Sequence, residues 1–345
     1  MQLLRVVYVH GSADEVALPG VFLSPHISPT ALARRSAGWN CRRTRTVVAS
    51  AVARATGLSL EYRSTDWSKT KEVIASGDRA LRLLETTAKG GKESRIKDGI
   101  AFAPNNVRLG PPVSDPDKII CLGLNYRDHA EEASLALPKV PMLLAKFRNS
   151  LIGAFDRIEL PYANENVDYE AELAIVIGRR TKCVAEEEAL EYVFGAMAMN
   201  DVSARDVQLA TSQWTAGKAI DTFAPCGPAV VSRDELGDIQ DLAIQTRVNG
   251  RLLQNGNTKN MIFSVSYIVS YLSQLMTLEP GDIIATGTPA GVGFKRQPPV
   301  RLKDGDIVEV AIEKIGRLAN PVHDRNGIEP RRSDVNQIEM EEGIK

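Results

Sequence analysis

The segment VDYEAELAIVIG, at residues 167–178, combines a long apolar run with two carboxylates placed two positions apart. The run from Leu173 to Ile177 is typical of a buried strand. Side chains at positions i and i+2 of a strand point to the same face, so Glu170 and Glu172 are expected to project side by side. The chain must therefore adopt a fold that accommodates two like charges directly beside an apolar strand.

Two explanations account for this pair of glutamates. Mutual repulsion and burial raise the pKa of at least one of them unless a positive charge lies between them. A hard divalent cation such as Mg²⁺ supplies that charge and takes oxygen ligands from carboxylates, waters and substrates. The alternative is a solvent-facing strand edge on which both glutamates are hydrated. The pair alone favours the hydrated edge, so a metal site needs further support from elsewhere in the chain.

Further candidate residues occur in two other motifs. In MNDVSARD (199–206), Asp201 follows an apolar stretch and is either a third oxygen ligand or the N-cap of the next turn. In NYRDHAEEASL (125–135), His129 and Glu132 stand three residues apart, which places them on one face of a helix. A carboxylate beside an imidazole forms either an acid/base pair or an ordinary surface ion pair.

Two glycine-containing stretches complete the set of candidates. Lys218, in QWTAGKAIDTFAPCGP (213–228), is either a group that neutralises an anionic substrate or a plain surface lysine. The loop TGTPAGVGF (286–294) includes Gly287 and Thr288. Its glycine spacing fits neither a dinucleotide-binding turn nor a P-loop, which argues against a nucleotide. Its amides and hydroxyls suit a carboxylate or an oxyanion instead.

Composition excludes several classes of protein. Lys plus Arg (42) nearly equal Asp plus Glu (43) in the 345 residues, so no net charge favours nucleic acid or an anionic membrane. No apolar run approaches the roughly 20 residues that span a bilayer. The four cysteines lie far apart without a histidine at ligand spacing, which argues against a zinc site or a disulfide framework.

Strand patterns outnumber helical ones, which favours a β-rich α+β fold. Residues 1–110 are interpreted as an N-terminal region. Its Arg-rich part, residues 16–60, contains no acidic residue and is interpreted as an exposed or poorly ordered insertion. The same composition is found in organelle transit peptides, so a mitochondrial and a cytoplasmic location both stay open. Residues 115–320 carry the regular patterns of the main domain, and residues 321–345 form a polar tail.

The ordered motifs resemble the fumarylacetoacetate hydrolase family and, within it, the domain-containing protein 2 branch. The resemblance covers roughly residues 115–320, and the motifs that carry it are LGLNYRDHAEE, VDYEAELAIVIG, NDVSARD, GKAIDTFAPCGP, RVNGRLLQNGNT and PGDIIATGTPAGVG. It implies a mixed β-sandwich roll with flanking helices, a smaller N-terminal domain and a homodimer.

The resemblance also implies roles for individual residues. Glu170, Glu172 and Asp201 match the metal ligands of the family, which hold Mg²⁺, or Mn²⁺ or Ca²⁺ in some members. The other matched positions are the catalytic residues His129, Glu132 and Lys218, of which Lys218 is near the metal, and the substrate contacts Gln208 and Thr288 with the neighbouring Gly287.

The expected activity follows from these roles. We expect a divalent-metal-dependent enzyme that acts on β-keto or 1,3-dicarbonyl acids through an enolate. It is either a hydrolase that cleaves a C–C bond of acylpyruvates or a tautomerase or decarboxylase of oxaloacetate. Ser212 stands near the place of a substrate-binding tyrosine of the hydrolase, which argues against fumarylacetoacetate itself. The alternative is a non-catalytic protein that keeps the fold to bind small acids or to act as a scaffold.

Overall fold

The computed structural model describes residues 3–11, 17–24, 45–48, 74–75, 101–102, 107–161 and 166–324, with the strands before residue 109 described by their backbone alone. The strands, numbered in chain order, are β1 (Leu3–Gly11), β2 (Ala17–Ser24), β3 (Arg45–Val48), β4 (Ala101–Phe102), β5 (Val107–Gly110), β6 (Ile119–Gly123), β7 (Met142–Lys146), β8 (Leu151–Ile152), β9 (Ile158–Leu160), β10 (Val167–Asp168), β11 (Ala171–Ile177), β12 (Val193–Asn200), β13 (Ser203–Ala204), β14 (Ala224–Ser232), β15 (Ala243–Val248), β16 (Arg251–Asn257), β17 (Ile283–Ala285), β18 (Ile307–Ile312) and β19 (Gly316–Asp324).

The α-helices are α1 (Arg127–Ala133), α2 (Arg205–Leu209), α3 (Thr215–Lys218), α4 (Arg233–Leu236) and α5 (Val265–Leu275). Four 3₁₀ helices span Arg148–Ser150, Glu186–Tyr192, Thr258–Asn260 and Gly293–Lys295 within the described residues. None of the helices described here has the length and apolar character needed to cross a membrane. Strands dominate the described part of the chain, so the predicted β-rich α+β class is confirmed.

Two large sheets form the body of the described structure. The larger sheet has the order β4-β3-β2-β1-β14-β12-β11-β17-β6-β7, with β5 beside β1 and β8 beside β14. The second sheet has the order β16-β15-β18-β19-β9, and β10 pairs separately with β13. In the larger sheet β11 lies between β12 and β17 and is antiparallel to both. This central position explains why the strand is buried on both faces.

The two faces of β11 enter different cores. Leu173, Ile175 and Ile177 belong to a core that also contains residues of β15, β18 and the buried face of α5. Ala174 and Val176 belong to a second core, which includes side chains of β6, β12, β14 and β17. Glu170 and Glu172 lie an even number of positions before Ala174 and Val176, so their side chains are expected on the same face as the second core.

The predicted strands at 118–126, 141–147 and 167–178 are present as β6, β7 and the pair β10 and β11. The acidic start of segment 186–200 forms a 3₁₀ helix, and the remainder is β12. The predicted division into domains stays a prediction. Within the Arg-rich residues 16–60 only β2 and β3 are described, and residues 325–345 of the polar tail lie outside the described part of the chain.

Truncating Ile175 to alanine is expected to lower the free energy of unfolding by about 2–5 kcal/mol, because it removes fully buried methyl groups and leaves a cavity. Chemical denaturation measures the loss. Leu275→Ala is the matched control, since Leu275 is exposed at the end of α5, and we expect a change within about 0.5 kcal/mol. Equal losses in both variants would contradict the assignment of the core.

Candidate active site

Three buried carboxylates from two neighbouring strands converge at one point. Glu170 lies between β10 and β11, Glu172 is the second residue of β11, and Asp201 follows β12 directly. Because Ala171 pairs with Asn200 in the antiparallel register, Glu170 and Asp201 become neighbours although they lie 31 positions apart in the chain. One carboxylate oxygen from each of the three residues lies within 4.8 Å of the others.

Two cationic side chains compensate Glu170. The Lys218 ammonium lies 2.7 Å from Glu170 Oε2 and 2.8 Å from Asp201 Oδ2. The Arg205 guanidinium donates to Glu170 Oε1 at 2.6 Å. Burial by itself raises the pKa of Glu170, but Lys218 and Arg205 outweigh it and lower the pKa to about 2. Glu170 is therefore an ionised carboxylate at neutral pH.

Glu172 has a different environment from Glu170. Its Oε2 accepts a hydrogen bond from the Gly287 amide at 2.8 Å. Burial raises the pKa of Glu172 well above its usual value, and the nearby charges of Asp201 and Glu170 raise it further. Gly287 has φ +94°, and a Cβ there would lie 2.8 Å from the Asn125 Cβ, so this close approach requires glycine.

The donor set fits a hard divalent cation. Asp201 Oδ1 is buried and forms an ion pair with the Lys146 ammonium at 2.8 Å but no hydrogen bond that meets the usual geometry, so a lone pair is left for a further ligand. The negative charge of Glu172 is opposed by no ion pair within hydrogen-bond distance among the described residues. Three carboxylates at this spacing supply the oxygen ligands that Mg²⁺, Mn²⁺ and Ca²⁺ take in proteins.

The imidazole–carboxylate pair lies on the short helix α1. His129 Nδ1 is 3.2 Å from Glu132 Oε2, as the predicted helical spacing requires. His129 is buried, and it is near enough to Glu170 to contribute to the lowering of the Glu170 pKa. The helix is held by Asn125, whose side chain donates to the Thr286 carbonyl at 2.8 Å. The imidazole–carboxylate pair therefore lies near the acidic cluster.

The glycine-rich loop anchors Glu132. The Gly291 amide donates to both carboxylate oxygens of Glu132, at 2.9 and 3.1 Å. Gly291 has φ +102°, and a Cβ there would lie 2.3 Å from the Leu253 carbonyl oxygen. No side chain fits at this position without moving the loop away from Glu132.

Gly291→Ala is therefore expected to displace the loop and to lower kcat/KM by about 10²-fold, since small misplacements of reacting groups have effects of that size. Gly250→Ala is the matched control. Gly250 has φ +79°, but a Cβ at this position would meet nothing within 4 Å, so it shares the backbone strain without the steric conflict. We expect Gly250→Ala to lose about 1 kcal/mol of stability, Gly291→Ala to lose more because of its steric conflict, and only Gly291→Ala to lose activity. Equal activity in the two variants would refute the role of the loop.

Arg205 is a residue whose role the sequence patterns did not indicate. Its guanidinium donates to Asp168 Oδ1 at 2.7 Å and to Gln208 Oε1 at 2.9 Å, besides Glu170. It also stacks 4.3 Å from the centroid of the Phe294 ring. Arg205 belongs to the motif NDVSARD, but its acidic partners lie about 35 residues earlier. No local spacing reveals such a contact.

The predicted substrate contacts lie at the edge of the same site. Gln208 is buried, and its carbonyl oxygen accepts a hydrogen bond from Arg205 at 2.9 Å. The Thr288 hydroxyl accepts a hydrogen bond from Gln254 at 2.8 Å. The Gly287 amide is directed at Glu172, so it supports a carboxylate of the protein itself. Substrate binding by Gln208, Gly287 and Thr288 stays a prediction.

Comparison with known proteins agrees with this geometry. Residues 118–323 match the family described as fumarylacetoacetate (FAA) hydrolase C-terminal, which is more than half of the chain. The chain belongs to the fumarylacetoacetate hydrolase family. The matched residues include the three carboxylates, His129, Glu132 and Lys218. The predicted family is therefore confirmed.

Individual members of the fumarylacetoacetate hydrolase family align with most of the chain. A fumarylacetoacetate hydrolase domain-containing protein 2 homolog from Dictyostelium discoideum is 44% identical over 280 residues, which cover 77% of this chain and 92% of that protein. A mitochondrial oxaloacetate tautomerase from Xenopus laevis is 43% identical over 254 residues, which cover 73% of this chain and 77% of that protein.

A solved structure supports the same fold. The fumarylacetoacetate hydrolase from Exiguobacterium antarcticum is 35% identical, with a TM-score of 0.69 over 93% of this chain and 100% of that one. The predicted family fold, a β-rich roll with few helices, is confirmed by this likeness.

Proposed function

We propose that this protein is a divalent-metal-dependent keto–enol tautomerase of oxaloacetate-like acids. The observation that carries the proposal is the convergence of three buried carboxylates in front of a histidine that is already paired with an anchored glutamate. A relative 43% identical is named an oxaloacetate tautomerase, which supports the choice of substrate.

Glu170, Glu172 and Asp201 would hold the cation, which supplies positive charge to the substrate oxygens as the enolate develops. The Lys218 ammonium lies against the same carboxylates and adds a further positive charge beside the substrate. With the cation in place, the site would bind and orient an acid whose keto and carboxylate oxygens are adjacent. Gln208, whose carbonyl oxygen is bonded to Arg205, would donate from its amide nitrogen to the same acid.

His129 moves the proton in this proposal. Glu132 accepts the hydrogen from Nδ1, which leaves Nε2 as the nitrogen that faces the substrate. In the enol-to-keto direction the enol hydroxyl loses a proton and C3 gains one, so atoms and charge balance without water or an oxidant. Glu132 fixes the tautomer and the orientation of the imidazole ring, and Gly291 fixes Glu132.

One contact favours tautomerisation over C–C hydrolysis. Hydrolysis of an acylpyruvate passes through a tetrahedral oxyanion, which needs donors directed at that oxygen. The Gly287 amide, the expected donor in the glycine-rich loop, is already bonded to Glu172. Tautomerisation also places negative charge on an oxygen, but the cation and Lys218 would stabilise that enolate without a donor from the loop. Hydrolysis of acylpyruvates and decarboxylation of oxaloacetate are the competing outcomes.

The test is a substrate panel with product analysis. Purified protein with Mg²⁺ is mixed with enol oxaloacetate and with several acylpyruvates, and enol absorbance is followed while pyruvate and free acids are quantified. We expect rapid loss of enol oxaloacetate without pyruvate, and abolition of this activity by EDTA. Formation of pyruvate from oxaloacetate, or of free acids from acylpyruvates, at the faster rate would reject the tautomerase.

The same panel tests the scaffold alternative. A protein that binds Mg²⁺ and oxalate by calorimetry, yet accelerates no reaction of any acid tested, would be a binding protein rather than an enzyme. Glu187→Gln is the control for effects of mutagenesis and purification, since this exposed carboxylate lies outside the cluster. We propose the mitochondrion as the compartment, as for the Xenopus relative by its name. A homodimer stays a prediction that sedimentation analysis can check.

A further inference from the structure

Lys146 is a fully buried lysine at the end of β7. An ammonium group that is removed from water needs a complete set of acceptors, because its desolvation is otherwise strongly unfavourable. Its Nζ donates to the carbonyl oxygens of Val202 at 2.9 Å and of Phe223 at 2.8 Å, and to that of Lys218 at a shorter distance. Each acceptor lies at least 56 residues away in the chain.

These three carbonyls belong to segments that build the acidic cluster. Val202 follows Asp201, Lys218 is the lysine that contacts Glu170, and Phe223 precedes β14. One ammonium group therefore fixes the backbone on two sides of the site. Displacing Lys146 would shift Asp201 and Lys218 relative to each other, since no other side chain among the described residues bonds all three carbonyls.

Lys146 also places a positive charge beside the Asp201 carboxylate. Nζ also lies 2.8 Å from Asp201 Oδ1, in an ion pair whose angles are poor for a hydrogen bond. A lysine ammonium has three hydrogens, and the three carbonyls take all of them. Oδ1 is thus stabilised by the positive charge on one side, and its other lone pair remains available to a cation. Lys218, in contrast, donates directly to Oδ2 of the same carboxylate.

We infer that Lys146 is a positioning residue of the metal centre, which orients Asp201 and the backbone of Lys218 and thereby sets the affinity for the divalent ion. This inference rests on the metal role in the proposed function. It assigns no contact between Lys146 and the substrate, because the ammonium is enclosed by its protein acceptors. Replacing Lys146 should therefore weaken cation binding more than it slows the reaction at saturating cation.

The experiment is a calorimetric titration of Mn²⁺ alone into the metal-free protein. Lys146→Met removes both the charge and the three donors, and we expect the affinity to fall by about 10- to 100-fold, as for other residues that orient metal ligands. Lys146→Arg keeps the charge, but its planar fork cannot direct three hydrogens as the ammonium does, so an intermediate loss of about 10-fold is expected. Turnover of Lys146→Met should recover at saturating Mn²⁺.

Lys118→Met is the matched control, since Lys118 also forms a lysine–carboxylate pair in the larger sheet, 2.7 Å from the buried Asp282, outside the acidic cluster. It should lower stability and leave Mn²⁺ affinity unchanged. Wild-type affinity in folded Lys146→Met overturns the inference, and if that variant does not fold, wild-type affinity in Lys146→Arg overturns it. Failure of the wild-type protein to bind Mn²⁺ would instead refute the metal role in the proposed function.

Discussion

Glu172→Gln is expected to abolish cation binding and to lower kcat/KM for oxaloacetate by about 10³-fold or more, yet to leave the metal-free protein at least as stable as the wild type. The reason is that burial and the neighbouring carboxylates raise the pKa of Glu172, so its charged form is unfavourable without a cation. A neutral amide avoids this repulsion and still accepts the hydrogen bond from Gly287. Calorimetry and thermal unfolding measure the two effects separately.

Glu170→Gln should have the same effect on catalysis and the opposite effect on stability. Glu170 is compensated by Lys218 and Arg205, and its pKa of about 2 lies below the value of about 4.3 of an unfolded chain. Removing its charge should lower the free energy of unfolding by about 3 kcal/mol at neutral pH. Because the folded pKa is depressed, this contribution is complete above the unfolded pKa and disappears as the pH falls towards 2.

The comparison is informative because both substitutions are isosteric and lie two residues apart. Glu187→Gln, at an exposed position, should change neither property. Retention of Mn²⁺ binding in either cluster variant would contradict the assignment of these carboxylates as ligands. A large loss of stability in Glu172→Gln would contradict the electrostatic description of that residue. Stability and activity thus test different parts of the same site.

The strand and the helix of the site could be predicted because their signals are local, whereas the pair of glutamates alone favoured a hydrated edge and was assigned to a metal only through the family resemblance. The apolar run beside Glu170 and Glu172 indicated a buried strand, and β11 is present with its flanking carboxylates in place. The spacing of His129 and Glu132 indicated a helical face, and α1 brings the two side chains into contact. Periodicity of 2 or 3.6 residues carries this information within one short segment.

The roles of Lys146 and Arg205 could not be predicted, because their partners are remote in the sequence. Lys146 contacts carbonyls that lie 56 to 77 residues further along the chain. At the end of an edge strand a lysine is usually a solvated residue, so nothing in its own segment distinguished it. Arg205 and the Gly287 amide are similar cases, because each is defined by a carboxylate from another strand. Only the register of the sheet brings these groups together.

His129→Asn is expected to lower kcat by about 10²- to 10⁴-fold, the usual contribution of a general base, while Mn²⁺ affinity stays as in the wild type. The imidazole is not one of the three oxygen donors, so its removal leaves the cation site intact. Proton exchange at C3 of oxaloacetate in deuterated water, followed by NMR, measures the step directly.

Glu132→Gln is a milder substitution, at the residue that pairs with His129. The amide oxygen of glutamine still accepts from Gly291 and from His129 Nδ1, so orientation is preserved and only the negative charge beside the imidazole is lost. A smaller loss, about 10-fold, is therefore expected. Wild-type exchange in His129→Asn would show that another group moves the proton, and Lys218, the ammonium in contact with Glu170 and Asp201, would then be the next candidate.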